Sequence, residues 1–205
     1  IFEWTTGPAP PVDVEVQLTF KGGLPVAVGG EALPVRAIVG QLNELGGRFG
    51  VGRYNGLEDI GAGFGGVKNH EVREAPAACA ILHAHRQLEV ACLTQEELRV
   101  KAALDWEWTR LAVNGYWHST LKDACELAIT ALARHVEGSV TLRYRAGAVL
   151  AVAIESARAP HYWNLRKEYE ELLLQLPMAP LVRLQSLGQG LRVRGADRLA
   201  ARGSD

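Results

Sequence analysis

Two short patterns combine residue types that could bind a ligand. Gly61–Gly66 follows the arrangement G-x-G-x-x-G, whose glycines let the backbone approach a pyrophosphate at the start of a helix. No clear strand precedes it and Val67–His70 begins no helix, so the pattern predicts a flexible loop instead of a dinucleotide site. His83 and His85 are two residues apart, a spacing that turns their rings about 200° from each other on a helix. They cannot share a metal there, and we expect structural histidines.

Aromatic residues and charge favour neither a nucleic-acid partner nor a membrane partner. Trp106, Trp108 and Trp117 could stack on bases, but apolar neighbours such as Leu104 and Leu111 predict core packing. Lys and Arg number 22 against 23 for Asp and Glu, so the formal charge of −1 creates no field that attracts phosphate groups. No apolar run reaches the roughly 18 residues of a membrane span, and the amino end lacks the layout of a signal peptide. We therefore expect a cytoplasmic protein.

Composition and cysteine usage point to a globular chain that folds without disulfides. The 205 residues are 48% apolar and 22% charged, a mixture that forms a hydrophobic core. Cys79, Cys92 and Cys125 cannot all pair with one another, and they lie in partly apolar stretches with helical spacing. They predict buried free thiols, which suits a reducing compartment.

Hydrophobic periodicity predicts strands toward both ends and helices in the centre, hence an α+β class with antiparallel hairpins flanking a helical centre. Phe49–Glu74 is rich in glycine and predicts a loop. The other predicted elements are a hairpin of Val14–Phe20 with Pro25–Val28, a helix over Val35–Leu45 that stops at Gly46, helices after Pro76, Thr94 and Ser119, and a hairpin of Val140–Tyr144 with Val149–Ile154.

The two ends and one helix complete this outline. Three prolines predict an extended, linker-like lead-in over residues 1–11. The stripe from Leu121 to Val136 is the clearest amphipathic pattern and predicts a buried helix face. Arg166–Leu176 predicts a short helix, Leu181–Val193 fits either a strand or a helix, and residues 192–205 predict a tail.

Seven short segments occur in the order in which one known family carries them. They read IFEWT, FKGGLPVAVGGEAL, LNELGGRFGVGR, APAACAILHAHRQLE, LTQEE, AVNGYW and VEGSVTLRYRAG. Together they resemble the carboxy-terminal half of argininosuccinate synthase over nearly the whole chain. Seven collinear segments are far more specific than any one of them, and the chain is identified as a member of that family.

The resemblance implies half of a ligase. Argininosuccinate synthases are AMP-forming: the ureido oxygen of citrulline attacks the α-phosphate of ATP, and the aspartate amine then displaces AMP. The family's phosphate loop lies in an amino-terminal domain, and Lys21–Pro25 lacks the hydroxyl and carboxylate that grip phosphate and metal. We therefore expect residues 1–205 to form a single synthetase and multimerisation domain. ATP and Mg would bind only through a separate domain or chain with a phosphate loop, in a homo- or hetero-oligomer.

Two positions matching the family's citrulline-contacting residues are Glu58 and Arg73. The resemblance implies that Glu58 accepts hydrogen bonds from a substrate N–H, while a solvated loop acid is the simpler alternative. Arg73 stands where the family has a tyrosine, so it would repel a substrate ammonium, pair with Glu58, or recruit a carboxylate. The family's Glu-Asn-Arg reads Glu58-Asp59-Ile60, and the loop that follows is longer and rich in glycine.

Two functions are compatible with these residues. The first is the synthetase half of an argininosuccinate synthase-like ligase, for citrulline or for a related acceptor, inactive without its ATP-binding half. The second is a diverged, non-catalytic domain that serves as an oligomerisation or regulatory scaffold.

Overall fold

The secondary structure confirms the α+β class. A computed structural model describes residues 1–61 and 65–159. In chain order the elements are β1 (Val14–Lys21), β2 (Leu24–Val28), β3 (Glu31–Ala32), α1 (Val35–Arg48), β4 (Arg53–Asp59), β5 (Lys68–Glu74), α2 (Pro76–Cys92), α3 (Gln95–Val113), α4 (Thr120–Ala133), β6 (Gly138–Arg145) and β7 (Ala148–Glu155).

Both predicted hairpins are confirmed, and they join into one sheet with the strand order β3-β2-β1-β6-β7. Their turns lie at residues 22–23 and 146–147. Burial alternates along β1 and β6, as expected when one sheet face packs on the core and the other meets water. The buried side chains of these two strands are Leu18, Phe20, Val140, Leu142 and Tyr144.

Helix α1 runs past its predicted end. We expected Gly46 to stop it, but the helix continues to Arg48, and both Gly46 and Gly47 are buried. The reason is tertiary: a Cβ atom at Gly46 would lie 2.8 Å from the Cβ of Pro76, so a glycine is needed for close packing. The chain turns only at Gly50, where φ is +68°.

The predicted loop over Phe49–Glu74 is instead largely a second, two-stranded sheet. Strands β4 and β5 pair antiparallel from Arg53 opposite Glu74 to Asp59 opposite Lys68. Most of their side chains are exposed, so both faces are polar and the alternation of apolar residues that marks a strand is missing. Of the glycine pattern 61–66, the structure describes Gly61, Gly65 and Gly66.

The described residues form two compact units. The first consists of Ile1–Thr19, Pro25–Arg86 and Ser139–Ile154. The second consists of Phe20–Leu24, Gln87–Gly138 and the described residues from Glu155 onward. The β4–β5 hairpin lies in the first unit.

Helices α3 and α4 of the second unit begin at the predicted caps. The Thr94 hydroxyl accepts from the Glu97 N–H at 3.3 Å, and the Glu97 carboxylate accepts from the Thr94 N–H at 2.7 Å. This reciprocal pair is the predicted capping box. The Ser119 hydroxyl accepts from the Lys122 N–H at 3.2 Å.

Burial corrects several expectations about side chains. Cys92 and Cys125 are buried free thiols as predicted, but Cys79 is exposed. Trp106 is 72% exposed and Leu121 is 52% exposed, so neither is a core residue in the part of the chain that the structure describes. Apolar spacing shows that a helix has an apolar side, and it does not show what covers that side.

Some expectations lie outside the described residues, namely the helix over Arg166–Leu176, the segment Leu181–Val193 and the tail 192–205. Among the helices that are described, none combines the length and the apolar character needed to cross a bilayer.

Two glycines of α1 provide a matched test of the contact with Pro76. We expect Gly46→Ala to lower the free energy of unfolding by about 1–3 kcal/mol, because the added methyl group overlaps Pro76. Gly40 is exposed in the same helix, and an added Cβ there meets nothing within 4 Å. Gly40→Ala should therefore stabilise the protein by about 0.5–1 kcal/mol. Urea unfolding measures the free energy of unfolding of both variants. Destabilisation by both substitutions would contradict the packing argument.

Candidate functional site

The register of the β4–β5 hairpin places the two predicted site residues on one face. Arg73 lies directly opposite Tyr54, and Glu71 lies opposite Gly56. Glu58 follows Gly56 by two positions in the same strand, so it projects from the same face. We call this face, with Tyr54, Glu58, Glu71 and Arg73, the hairpin face.

Ion pairs connect the charged groups of the hairpin face. The Arg73 guanidinium donates a hydrogen bond from Nη2 to Oε1 of Glu58. It also donates from Nη2 to Oε2 of Glu71 at 2.8 Å and contacts Oε1 of Glu71 through Nε at 2.6 Å. Of the arrangements that the sequence left open for Arg73, the structure therefore shows pairing with Glu58.

Tyr54 completes the hairpin face in a way that depends on Gly56. The Arg73 guanidinium lies 4.8 Å from the centre of the Tyr54 ring, a cation–π contact. A Cβ atom on Gly56 would lie 2.5 Å from the Tyr54 hydroxyl, so the ring lies over this glycine. The phenol thus extends along the strand in the direction of Glu58.

The two carboxylates of the hairpin face differ in proton affinity. The neighbouring Glu71 carboxylate raises the pKa of Glu58, although the Arg73 charge opposes this effect. The interaction with Glu58, together with the Arg73 guanidinium, lowers the pKa of Glu71. The side chains of Glu58 and Arg73 are 48% and 51% exposed, so water screens these contacts. One guanidinium faces two carboxylates, which gives this face an excess of negative charge.

The opposite face of the same hairpin holds the lead-in segment. The Glu74 carboxylate accepts hydrogen bonds from the backbone N–H groups of Glu3 at 2.7 Å, Trp4 at 3.1 Å and Thr5 at 2.9 Å. The Thr5 hydroxyl donates to Glu74 at 2.6 Å and accepts from Nε of Arg53 at 2.8 Å. Thr5 is fully buried between these two charged groups.

Hydrogen bonding determines the proton affinity of Glu74. Partial removal from water would raise its pKa, but the Thr5 hydroxyl and the three backbone N–H groups outweigh that effect. They lower the pKa of Glu74 from 4.5 to about 2. Glu74 is therefore an anchor for the lead-in and is not available to a ligand.

The hairpin face carries hydrogen-bond acceptors, but the described residues of this face form no metal site. Among residues 1–61 and 65–159, no group of three or more His, Cys, Asp or Glu side chains is placed to hold a metal ion. Nε2 of His83 accepts a hydrogen bond from the Ala151 N–H at 3.2 Å, which agrees with the expected structural role. The carboxylate oxygens and the phenol of the hairpin face are suited to receive N–H groups of a ligand.

Comparison with known proteins identifies the fold that carries this hairpin. A protein-family model described as the arginosuccinate synthase C-terminal domain matches residues 1–188. The chain belongs to the argininosuccinate synthase family. Within this family it corresponds to the carboxy-terminal domain, which confirms the resemblance seen in the seven segments.

Individual argininosuccinate synthases align over most of the chain. That of Methanopyrus kandleri is 39% identical over 95% of the chain and 49% of its own length. That of Methanothermobacter thermautotrophicus is 34% identical over 91% of the chain and 46% of its own length, and that of Pyrobaculum aerophilum is 41% identical over 76% and 39%. The chain thus spans about half the length of the curated relatives it matches, or less.

Sequence reasoning singled out Glu58 and Arg73, whose role in a site stays a prediction, and it did not single out three residues that the structure places around them. Tyr54 and Glu71 could have been found only with the strand register, which places them beside Arg73. Gly56 had a local signal, because a glycine two positions after an aromatic residue in a strand leaves room for the ring to lie down.

A pH titration tests the anchor at Glu74. Because its pKa falls from 4.5 to about 2 on folding, the ionised carboxylate contributes stability that is fully present above 4.5 and is lost as the pH falls through about 2. We expect Glu74→Gln to lower the free energy of unfolding at neutral pH. Near pH 2, the free energies of unfolding of Glu74→Gln and of the unchanged protein should be equal.

The measurement is urea unfolding across this pH range. Glu31→Gln, which changes an exposed carboxylate of β3, serves as the control and should keep the original pH profile. If the free energies of unfolding of Glu74→Gln and of the unchanged protein differ by the same amount at every pH, the anchor does not depend on the charge of Glu74.

Proposed function

We propose that this chain is the carboxy-terminal part of an argininosuccinate synthase-like AMP-forming ligase, acting on citrulline or a related acceptor together with aspartate. Its role is to bind the acceptor and to support assembly of an oligomer. ATP and Mg would be supplied by a separate domain or chain with a phosphate loop. The family match over residues 1–188, in a chain about half as long as its relatives, is the observation that carries the proposal. A biosynthetic role of this kind fits a cytoplasmic protein.

The hairpin face is the proposed acceptor site. Glu58 and Arg73 are in contact there, and Tyr54 adds a phenol beside them. An acceptor that carries amino or ureido N–H groups would donate to Glu58, and charge assistance strengthens such bonds. The excess of carboxylates favours a positively charged or N–H-rich group over an anionic one.

Arg73 would limit access to Glu58. Its guanidinium already contacts both carboxylates of the face, so it does not remain free to recruit the carboxylate of a substrate. An acceptor must instead compete with Arg73 for Glu58. We therefore propose that citrulline binds weakly here while the Arg73 guanidinium contacts Glu58. Tighter binding would require citrulline to displace the guanidinium.

The same contact supports the second candidate, a non-catalytic scaffold. If Arg73 blocks Glu58 permanently, the hairpin face is inert and assembly is the remaining role. The second unit offers apolar surface for assembly, since Val113 is 80% exposed and Leu127 is 73% exposed.

Reconstitution of the two halves distinguishes these functions. The chain would be mixed with the remaining, amino-terminal part of the Methanopyrus kandleri argininosuccinate synthase, with citrulline and aspartate present. We expect no ATP–pyrophosphate exchange by the chain alone and clear exchange by the mixture. Exchange by the isolated chain would refute the requirement for a second domain. Assembly without exchange, for citrulline and for other amino acids, would favour the scaffold.

Substitutions on the hairpin face test the acceptor site in the same mixture. Glu58→Gln should weaken acceptor binding by about threefold to tenfold, because a neutral amide accepts a weaker hydrogen bond. Arg73→Gln should strengthen it by a similar factor, because it releases Glu58. Lys68→Gln removes a cation from the opposite face of the same hairpin and should leave acceptor binding unchanged. Binding constants from calorimetry that are equal for all variants would remove the hairpin face from the site.

A further inference from the structure

The Arg73 guanidinium has more contacts on the hairpin face than the one that occupies Glu58. Nη2 of Arg73 donates a hydrogen bond to Oε1 of Glu58. The Glu71 carboxylate receives two contacts from the same guanidinium, one from Nη2 at 2.8 Å and one from Nε at 2.6 Å. Two parallel contacts between a guanidinium and a carboxylate fix the orientation of the guanidinium as well as its distance. Arg73 is therefore oriented mainly by Glu71.

The strand positions explain why Glu71 can hold Arg73 without help from Glu58. Glu71 precedes Arg73 by two positions in β5, so the two side chains are neighbours on one face of one strand. Glu58 belongs to the other strand, where it lies opposite Asn69. The Glu71 side chain is 28% exposed and that of Glu58 is 48% exposed, so water screens the contact with Glu71 less.

Tyr54 supplies a further contact that does not involve Glu58. Its ring lies 4.8 Å from the Arg73 guanidinium, at the strand position directly opposite Arg73. The ring lies over Gly56, and Gly56 lies opposite Glu71, so the ring and the Glu71 carboxylate are on the same part of the face. Loss of the single contact with Glu58 would leave Arg73 bound to Glu71 and in contact with Tyr54.

We propose that Glu71 is a positioning residue for the acceptor: it retains the Arg73 guanidinium on the hairpin face while an acceptor N–H replaces that guanidinium at Glu58. This inference rests on the function proposed above for the hairpin face. The exchange replaces one hydrogen bond to Glu58 by another and keeps the other contacts of Arg73, so no charged group loses all its partners. Glu71 thus determines how strongly Arg73 competes with an acceptor.

The charges on the face act in the same direction. Glu71 raises the pKa of Glu58 and Arg73 lowers it, so the two groups have opposite effects on the same carboxylate. A neutral side chain at position 71 would leave the Arg73 charge to Glu58. The contact that an acceptor has to replace would then become stronger.

The first measurement needs no acceptor and uses the whole chain labelled with nitrogen-15. Hydrogen exchange of the Arg73 Nε–H reports its contact with Glu71, and Arg73→Gln identifies the signal by removing it. We expect Glu71→Gln to speed this exchange by about twofold to fivefold, the scale of a solvent-exposed ion pair. Glu58→Gln removes only a partner of Nη2 and should leave the exchange rate unchanged. An exchange rate that Glu71→Gln does not alter would overturn the proposal.

The second measurement is citrulline binding, by calorimetry, in the mixture with the amino-terminal part of the Methanopyrus kandleri enzyme. Glu71→Gln should weaken binding by about twofold to fivefold, because Arg73 then competes more strongly for Glu58. The effect should vanish in a chain that also carries Arg73→Gln, because Glu71 acts through Arg73. Asp59→Asn removes a carboxylate from the opposite face of the same hairpin and should leave binding unchanged.

The results distinguish the role of Glu71 from the acceptor site itself. If Glu71→Gln still weakens binding in the absence of Arg73, Glu71 contacts the acceptor directly. If Arg73→Gln strengthens binding but Glu71→Gln has no effect, Glu71 does not position the guanidinium. Either result would overturn the positioning role and leave the acceptor site in place. Equal binding constants for all variants, including Glu58→Gln, would refute the acceptor site and the role of Glu71 with it.

Discussion

Close approach of three backbone segments at Pro76 is the constraint on which the first unit depends. A Cβ atom on Gly46 would lie 2.8 Å from the Pro76 side chain, and one on Gly52 would lie 2.6 Å from the carbonyl carbon of Ala75. The Ala75 N–H donates to the Gly52 carbonyl at 2.9 Å. The end of α1, the start of β4 and the start of α2 therefore meet at one point. The β4–β5 hairpin extends from it, so the geometry of the hairpin depends on two glycines that contribute no side chain.

The hairpin that leaves this point is polar on both faces, and the two faces make different contacts. On one face Glu74 and Arg53 enclose Thr5 and hold the lead-in through bonds to backbone groups. On the other, Arg73 and Glu58 are half exposed and paired through solvent-screened contacts. The anchored face is stabilised by several hydrogen bonds to one carboxylate, whereas the hairpin face is held weakly. Contacts that are weak in the free state are the ones that a ligand can exchange for its own.

The framework was predictable from sequence wherever its signals are local. The cap at Thr94 and the glycine turns of the sheet depend on residues within a few positions, and they were predicted correctly. The extent of α1 was predicted wrongly because Gly46 is explained by Pro76, which is distant in the chain. The β4–β5 hairpin was missed because two polar faces leave no period-two pattern of apolar residues. The roles of Tyr54 and Glu74 depend on that hairpin, so they were out of reach as well.

Family membership and the proposed acceptor specificity have different physical origins in this chain. Membership rests on features that many contacts maintain together, such as the buried strands of the sheet and the capped helices, and these tolerate few exchanges. The hairpin face consists of exposed side chains on a two-stranded sheet, where a substitution costs the fold little. Arg73 is a permanent charge in contact with Glu58, and we propose that this contact limits what the face can bind. Similarity over most of the chain therefore establishes the fold, whereas the substrate follows from the contacts of a few surface residues.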